Sequence, residues 1–462
     1  MEINDIYLPG NIQNQDQPKE EKKAKVIYGG PLFDGKGKVY ENGCIYILDD
    51  KIKAVGSEEE VFATMPGVKK NVELIDTQGK VIFPAMVNAH HHFFSAFAIG
   101  LSPKGKPLNF EEKLNKLWWP FDKALNEDSL QIAALLSIMD SIESGVTTIF
   151  DHHSSPSIIK NSLDIVAGAV EKAGINAVLC HEMSDRNGKK AFSETLEENL
   201  NFIDKYDDHD RIRGILGLHA NFTLSENSLK TISQHFDPDI GIHVHCGETL
   251  NDLNFARDLG YAGAVDRLHK HHLISNTTLL AHGIHLSEED LNILEKSHAL
   301  LVHNPESNAD NHLGILNLEI SGRINVGYGT DGITSNLLQS LHTGYLLHRQ
   351  EGVEEEILLK KLPNFIYKNN RTFAQKYFDR KFAVLEEGAS ADLVIYDYVP
   401  FTPFHSNNIN RHLIFGMKDK KADTVISNGK VIFQDKVFIS LDRDLILEQA
   451  REIATKVWEN YL

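Results

Sequence analysis

Eight short apolar runs set the strongest constraint on how this chain folds: KVIFPAMVNAH, TTIFDHH, INAVLCHE, RIRGILGLHA, IGIHVHCGE, TTLLAHGI, ALLVHNP and INVGYGTDG. Each has the length and apolar content of a strand, and most are followed by a segment with helical spacing. In one of those segments, SEEDLNILEKSH, Ser287 can cap the helix, while Glu288, Glu289 and Asp290 put negative charge in its first turn. Strands that alternate with helices pair in parallel, and eight such units close into a ring. The sequence therefore predicts an α/β fold, a (β/α)8 TIM-like barrel over residues 84–385.

The two ends read differently. VIYGG, GCIYILDDKIKAVG and VELIDTQGKVIFPA, for residues 25–83, are strand-like runs broken by turn residues. GASADLVIYDY and ADTVISNGKVIFQDKVF, for residues 386–440, have the same texture. Asn428-Gly429 suits a type I′ hairpin, whose central residues take positive φ. Together the ends predict one small β-sandwich domain. Residues 1–24 read as a polar lead-in without a secretory signal. Residues 441–462 carry Ala450, Ile453, Ala454, Val457 and Trp458 at helical spacing and predict a C-terminal helix.

Charge narrows the partners. With 47 basic and 65 acidic residues the net charge is −18, which argues against nucleic acid or an anionic membrane. No apolar run reaches the ~18 residues of a membrane helix. Cys44, Cys180 and Cys246 show no paired spacing, which fits a reducing cytoplasm.

Nearly every predicted strand ends in His, Asp or Glu, and the C-terminal strand ends form the active-site face of such barrels. Side chains alternate along a strand. In VNAHHHFFS, His90 and His92 then share one face and His91 takes the other. In GIHVHCGET, His243 and His245 oppose Ile242 and Val244. His245 is nearer the mouth, His243 one layer deeper is a hydrogen-bonded core residue, and Cys246 faces the helices. In VGYGTDG, Asp331 stands between Gly329 and Gly332. Singly these have plain readings: Thr-Asp-Gly is a good turn, and a Glu after a strand, such as Glu248, starts a helix. Together, His90, His92, His245 and Asp331 offer one divalent ion three imidazoles and a carboxylate. That set suits Zn2+, and Fe2+ or Mn2+ also accept it. Glu248 is placed to reach a substrate above it.

PAMVNAHHHFFSAFAIGL, IHVHCGET, LLAHGIHLS, LVHNPESN and GTDGITSN, in that order, resemble the amidohydrolase superfamily. They are most similar to its cytosine deaminase, guanine deaminase and triazine hydrolase branch. CHEMSDRNG and NAHHHFFSA resemble SsnA-type aminohydrolases. The resemblance covers about residues 25 to 440. It implies that His90 and His92 are the first-strand metal ligands, His245 the fifth-strand ligand, and Asp331 both ligand and base. It further implies that Glu248 carries a proton to a ring nitrogen and that His282 sits beside the activated water. The implied activity replaces the exocyclic amino group of a purine, pyrimidine or related small heterocycle with oxygen and releases ammonia. One divalent ion per chain and a homo-oligomer, a dimer, are also implied. Two departures stand out. Ala85 replaces the usual Gly, and the fourth strand, GLHANFTLS, has His219 and no lysine, which favours one ion over a lysine-bridged pair. Alternative readings are a hydrolase of the same scaffold that expels an alkylamine, chloride or ring amide, and a non-catalytic barrel used for partner binding.

His153, Glu182 and His219 near the ends of the second to fourth strands are candidate substrate contacts, as is Trp119. Trp119 lies in a long connection with Phe93, Phe94, Trp118 and Phe121, readable as a lid over a flat heterocycle or as a loop packed on the barrel. Asp185 and Arg186 form a substrate clamp or an ion pair, and His303, Asn304 and Asn308 buttress the site.

Overall fold

The computed structural model describes residues 24–65, 72–332 and 334–462, so the expected lead-in falls outside the described residues except for Ala24. Barrel strands run Met86–His92, Val146–His153, Asn176–His181, then Ile212–Gly214 with Leu216–Ala220 as the fourth. Ile242–Cys246, Leu279–His282, Leu300–His303 and Asn325–Tyr328 complete the set. Neighbours pair in parallel in chain order. The ring closes where Asp331 and Gly332, just past the eighth strand, pair with His91 and His92 of the first. Parallel strands are covered on both faces, which is why these runs are buried almost throughout, their polar C-terminal ends included. Helices cover the outside, and that from Glu288 to Ser297 starts with the expected cap: Ser287 and Asp290 bond each other's backbone N–H. Inside, Val87, Phe150, Val178, Leu279 and Val302 pack with Phe373, Tyr377 and Phe378.

Both chain ends join in one nine-stranded sheet. Its seam is Ile82–Pro84, parallel to Leu32 on one side and antiparallel to Leu393–Ile395 on the other. KVIFPAMVNAH is therefore two strands. The first belongs to this sheet, and only Met86–His92 enters the barrel. The Asn428-Gly429 turn has φ of 48° and 72°, and Ser427 pairs with Lys430 across it. The C-terminal helix, Arg443–Tyr461, packs on the barrel helix Glu127–Glu143. Among the described residues no helix is long and apolar enough to cross a membrane.

Candidate active site

A register shift between Asn88 and His91 fixes the phase of the first strand. His91 turns outward, its Nδ1 donating to the Asp331 carbonyl at 2.6 Å. Each inward histidine is held by its other ring nitrogen. His90 Nδ1 is 2.8 Å from His243 Nε2, His92 Nδ1 donates to the His152 carbonyl, and His245 Nδ1 donates to the His219 carbonyl at 2.7 Å. Such bonds orient an imidazole for metal binding. The Nε2 atoms converge. His92 Nε2 lies 3.2 Å from His245 Nε2 and 3.0 Å from Asp331 Oδ1, which is 3.4 Å from His90 Nε2. Ligands of a tetrahedral ion with bonds of about 2 Å stand roughly 3.3 Å apart, so these three spacings suit a single cation. The buried Nε2 atoms of His90 and His282 have no hydrogen-bond partner among the described residues. Buried polar atoms need one, and a cation at this point would satisfy His90.

Asp331 and His282 both hold left-handed backbone, at φ of 61° and 82°. Non-glycine residues adopt it at a cost that surrounding structure must offset, and such strain gathers at functional sites. Gly332 N–H and the Ser307 hydroxyl bind the two Asp331 carboxylate oxygens at 2.9 and 2.5 Å. At Gly329 a Cβ would come within 2.4 Å of Asn304 Oδ1 and 3.0 Å of His90 Cβ, so only glycine lets strand eight approach strand one here.

Charge follows the same plan. Burial holds His90 down at about 3, neutral as a ligand must be. Burial also depresses His92, but Asp331 and Glu182 outweigh it and lift it to about 9, so a cation bound there would displace a proton from this ring. Asp331 stays ionised: burial raises its pKa, yet His90 and His92 bring it well below the usual range. Burial, reinforced by Asp331 and Asp252, pushes Glu248 well above it. Glu248 Oε1 and Asp331 Oδ2 lie 3.6 and 3.7 Å from His282 Nε2, and Asn308 Oδ1 holds His282 Nδ1 at 2.9 Å. One side of the site thus pairs a carboxyl biased towards its protonated form with one biased towards its ionised form.

Above lies a cavity of about 400 Å³. His92, His245, Glu248 and Asp331 form part of its floor, and Glu182, His219 and Trp119 line its wall. Glu182 is 3.3 Å from His152 Nδ1 and 3.9 Å from His219 Nε2. His153 does not line it. That ring turns outward to Ser155 Oγ at 2.9 Å and to His181, so the expected substrate contact at His153 is withdrawn. His152 points inward instead, its ligand atom within 4.8 Å of those of His90, His92 and His245. The second strand's register decides this: Asp151 pairs with outward His91, so the next residue faces in. Asp185 does not pair with Arg186. It accepts from Ser225 N–H and Ser228. Asn308 buttresses His282, and Cys246 packs among helix-facing residues.

Residues 81–432 match the Amidohydrolase family. A 5'-deoxyadenosine deaminase of Methanobrevibacter smithii is 27% identical over 434 residues, 90% of this chain and 94% of its own length. A 5-methylthioadenosine/S-adenosylhomocysteine deaminase of Thermococcus sibiricus is 28% identical over 422 residues, 89% of this chain and 93% of its own. Among solved structures, an adenosine deaminase from Xanthomonas campestris with bound zinc superposes with a TM-score of 0.79 at 18% identity, over 94% of this chain and 98% of that one. At that identity the likeness speaks for the fold, while the family match spans every barrel strand. The chain belongs to the amidohydrolase family, as a metal-dependent hydrolase of carbon–nitrogen bonds.

Proposed function

We propose that this chain deaminates amino-substituted purines, with adenine-type nucleosides, the substrates named for its relatives, as the first class to test. We assign one Zn2+ to His90, His92, His245 and Asp331; when bound it supplies water activated at neutral pH. Asp331 is placed to accept a proton from the attacking water. Glu248 gives a proton to the ring nitrogen beside the amino-bearing carbon, so the carbon accepts oxygen without an anion building on the ring. His282, fixed by Asn308, keeps Nε2 toward both carboxyls and orients the water. The water oxygen ends on the ring carbon, and the amino nitrogen leaves as ammonia with the proton returned to it. Glu182, His219 and Trp119 hold the ring.

One observation carries this reading: an acid and a base stand within 3.7 Å of the same imidazole nitrogen at the cavity floor. The stretch Cys180–Gly188, which resembles SsnA-type aminohydrolases, adds oxidised purines to the panel. Purified protein is to be analysed for metals and for ammonia release from adenine-type nucleosides, guanine-like and oxidised purines, pyrimidines and triazines. One ion per chain and one ammonia per aminopurine are expected. Absence of a divalent ion, or release of chloride or alkylamine without ammonia, overturns the reading.

A further inference from the structure

One guanidinium joins three loops at the cavity wall. Arg186, after the third strand, donates to both carboxylate oxygens of Asp122, through its two terminal nitrogens. It also donates to Ser154 Oγ at 3.1 Å, and that hydroxyl donates to Asp122 Oδ2 at 2.8 Å. The guanidinium carbon lies 5.4 Å from the centre of the Trp119 ring, within reach of a cation–π contact. Trp119 and Asp122 belong to the connection after the first strand, and Ser154 follows the second. All three line the cavity, whereas Arg186 does not.

The ion pair is nearly inaccessible, with side chains 10% and 4% exposed. Burying two charges offsets most of their attraction, and well-packed apolar residues often hold a structure as well or better. The pair therefore adds little as a mere fastener. What it does specifically is fix a planar ring and a charge-compensated carboxylate on the wall of a site. The Trp119 indole N–H is buried without a partner among the described residues, so no hydrogen bond fixes that ring. Its edge meets His219, with centroids 6.1 Å apart.

We propose that Arg186 is a positioning residue for substrate: it holds Asp122 and Trp119 so that the heterocycle stacks on the indole. The wall then carries no net charge from this pair, which matches an uncharged ring. The proposal deepens the deaminase reading and rests on it for the choice of ligand.

Arg186→Lys keeps the charge but loses the planar fork, and Arg186→Gln loses both. Each is expected to raise KM for the best aminopurine about tenfold, with kcat changed less than about threefold and bound metal unchanged. The double variant Asp122→Asn/Arg186→Gln, which leaves no unpaired charge, is expected to bind better than Arg186→Gln alone. Trp119→Phe, which keeps a ring, should lose less than Trp119→Ala. A fall in kcat with KM unchanged, a lowered melting temperature with unchanged KM, or a double variant that binds no better than Arg186→Gln overturns the proposal. Binding is measured separately by tryptophan fluorescence with the purine panel. Binding by the wild type without ammonia release defeats only the deaminase reading, and the Kd of Arg186→Gln, expected about tenfold weaker, still decides this one. No purine binding to the wild type defeats both.

Discussion

The cavity floor is set by strand ends, and its inward imidazoles are aimed by bonds to neighbouring strands, as where His92 and His245 donate to the carbonyls of His152 and His219. The roof is one connection, from Phe93 to the helix that begins at Glu127, with a short helix at Phe110–Lys113 and a π-helical turn at Leu114–Trp118. Long-range ties fasten it. Lys113 binds Asp310 and Asn311 at 2.7 and 2.6 Å, and Thr249 contacts Glu111 at 3.3 Å. From the C-terminal helix, Trp458 donates to the Phe97 carbonyl at 2.8 Å, and the Tyr461 hydroxyl meets the Ser102 and Lys116 carbonyls at 3.0 and 2.7 Å. A floor made this way keeps reacting groups in register, while a roof made this way can change without disturbing them. Chemistry on the scaffold and recognition on the loops is the division that such barrels permit.

That contrast breaks first at Glu248. Glu248→Gln keeps the shape of the floor and the metal but removes the transferable proton, so kcat should fall by about 10²–10⁴-fold. Elemental analysis beside steady-state kinetics checks it. Full turnover with metal retained means the acid lies elsewhere. A smaller effect is expected beneath the floor. His243→Leu removes the partner of His90 Nδ1, and metal affinity should weaken by about 10–100-fold. Competition with a chelator measures this, and unchanged affinity would show that His90 needs no support from below.

The same contrast governs what can be read from sequence. His90, His92, His245 and Asp331 are legible because alternation is local and strand ends are local. That His152 rather than His153 turns inward is not legible, because the parity of the second strand is set by its pairing with the first, through Asp151 and His91. The split at Pro84 has a similar cause: Ile82 pairs with both Leu32 and Ile395, contacts far away in the chain. Trp119 is legible as an aromatic in a long loop. Its wall is not, since Arg186 sits next to Asp185 in sequence yet pairs with Asp122, 64 positions away. Side-chain ties across such separations leave no periodic trace.

The roof sharpens the comparison at its far anchor. Tyr461→Phe keeps the buried ring and removes the hydroxyl that meets Ser102 and Lys116. One hydrogen bond is worth about 1 kcal/mol, so KM should rise only a few-fold, with kcat and metal content unchanged. Loss of metal in this variant would mean that roof and floor are coupled after all.

The smallest effect lies on the outer ring, remote from both, and concerns stability. Glu226 begins the helix after the fourth strand and accepts from Arg267 Nε at 2.8 Å, Tyr261 OH at 2.7 Å and His271 Nε2 at 3.0 Å. Burial raises its pKa, but these bonds together outweigh burial and hold it at about 2, against 4.5 for a free side chain. A folded pKa below the unfolded one means that the carboxylate stabilises the fold above about 4.5 and loses that contribution as pH falls from there towards about 2. The side chain is 47% exposed, so water and salt screen the gain and it stays small. The melting temperature of Glu226→Gln should lie slightly below that of the wild type at neutral pH. The gap should narrow at about pH 3.5 and in high salt, with kcat/KM at neutral pH unmoved. A gap that widens on acidification reverses the sign and removes Glu226 as a stabilising carboxylate. A change in kcat/KM would mean that the outer ring also reaches the site, and the division between floor and roof would then need a third member.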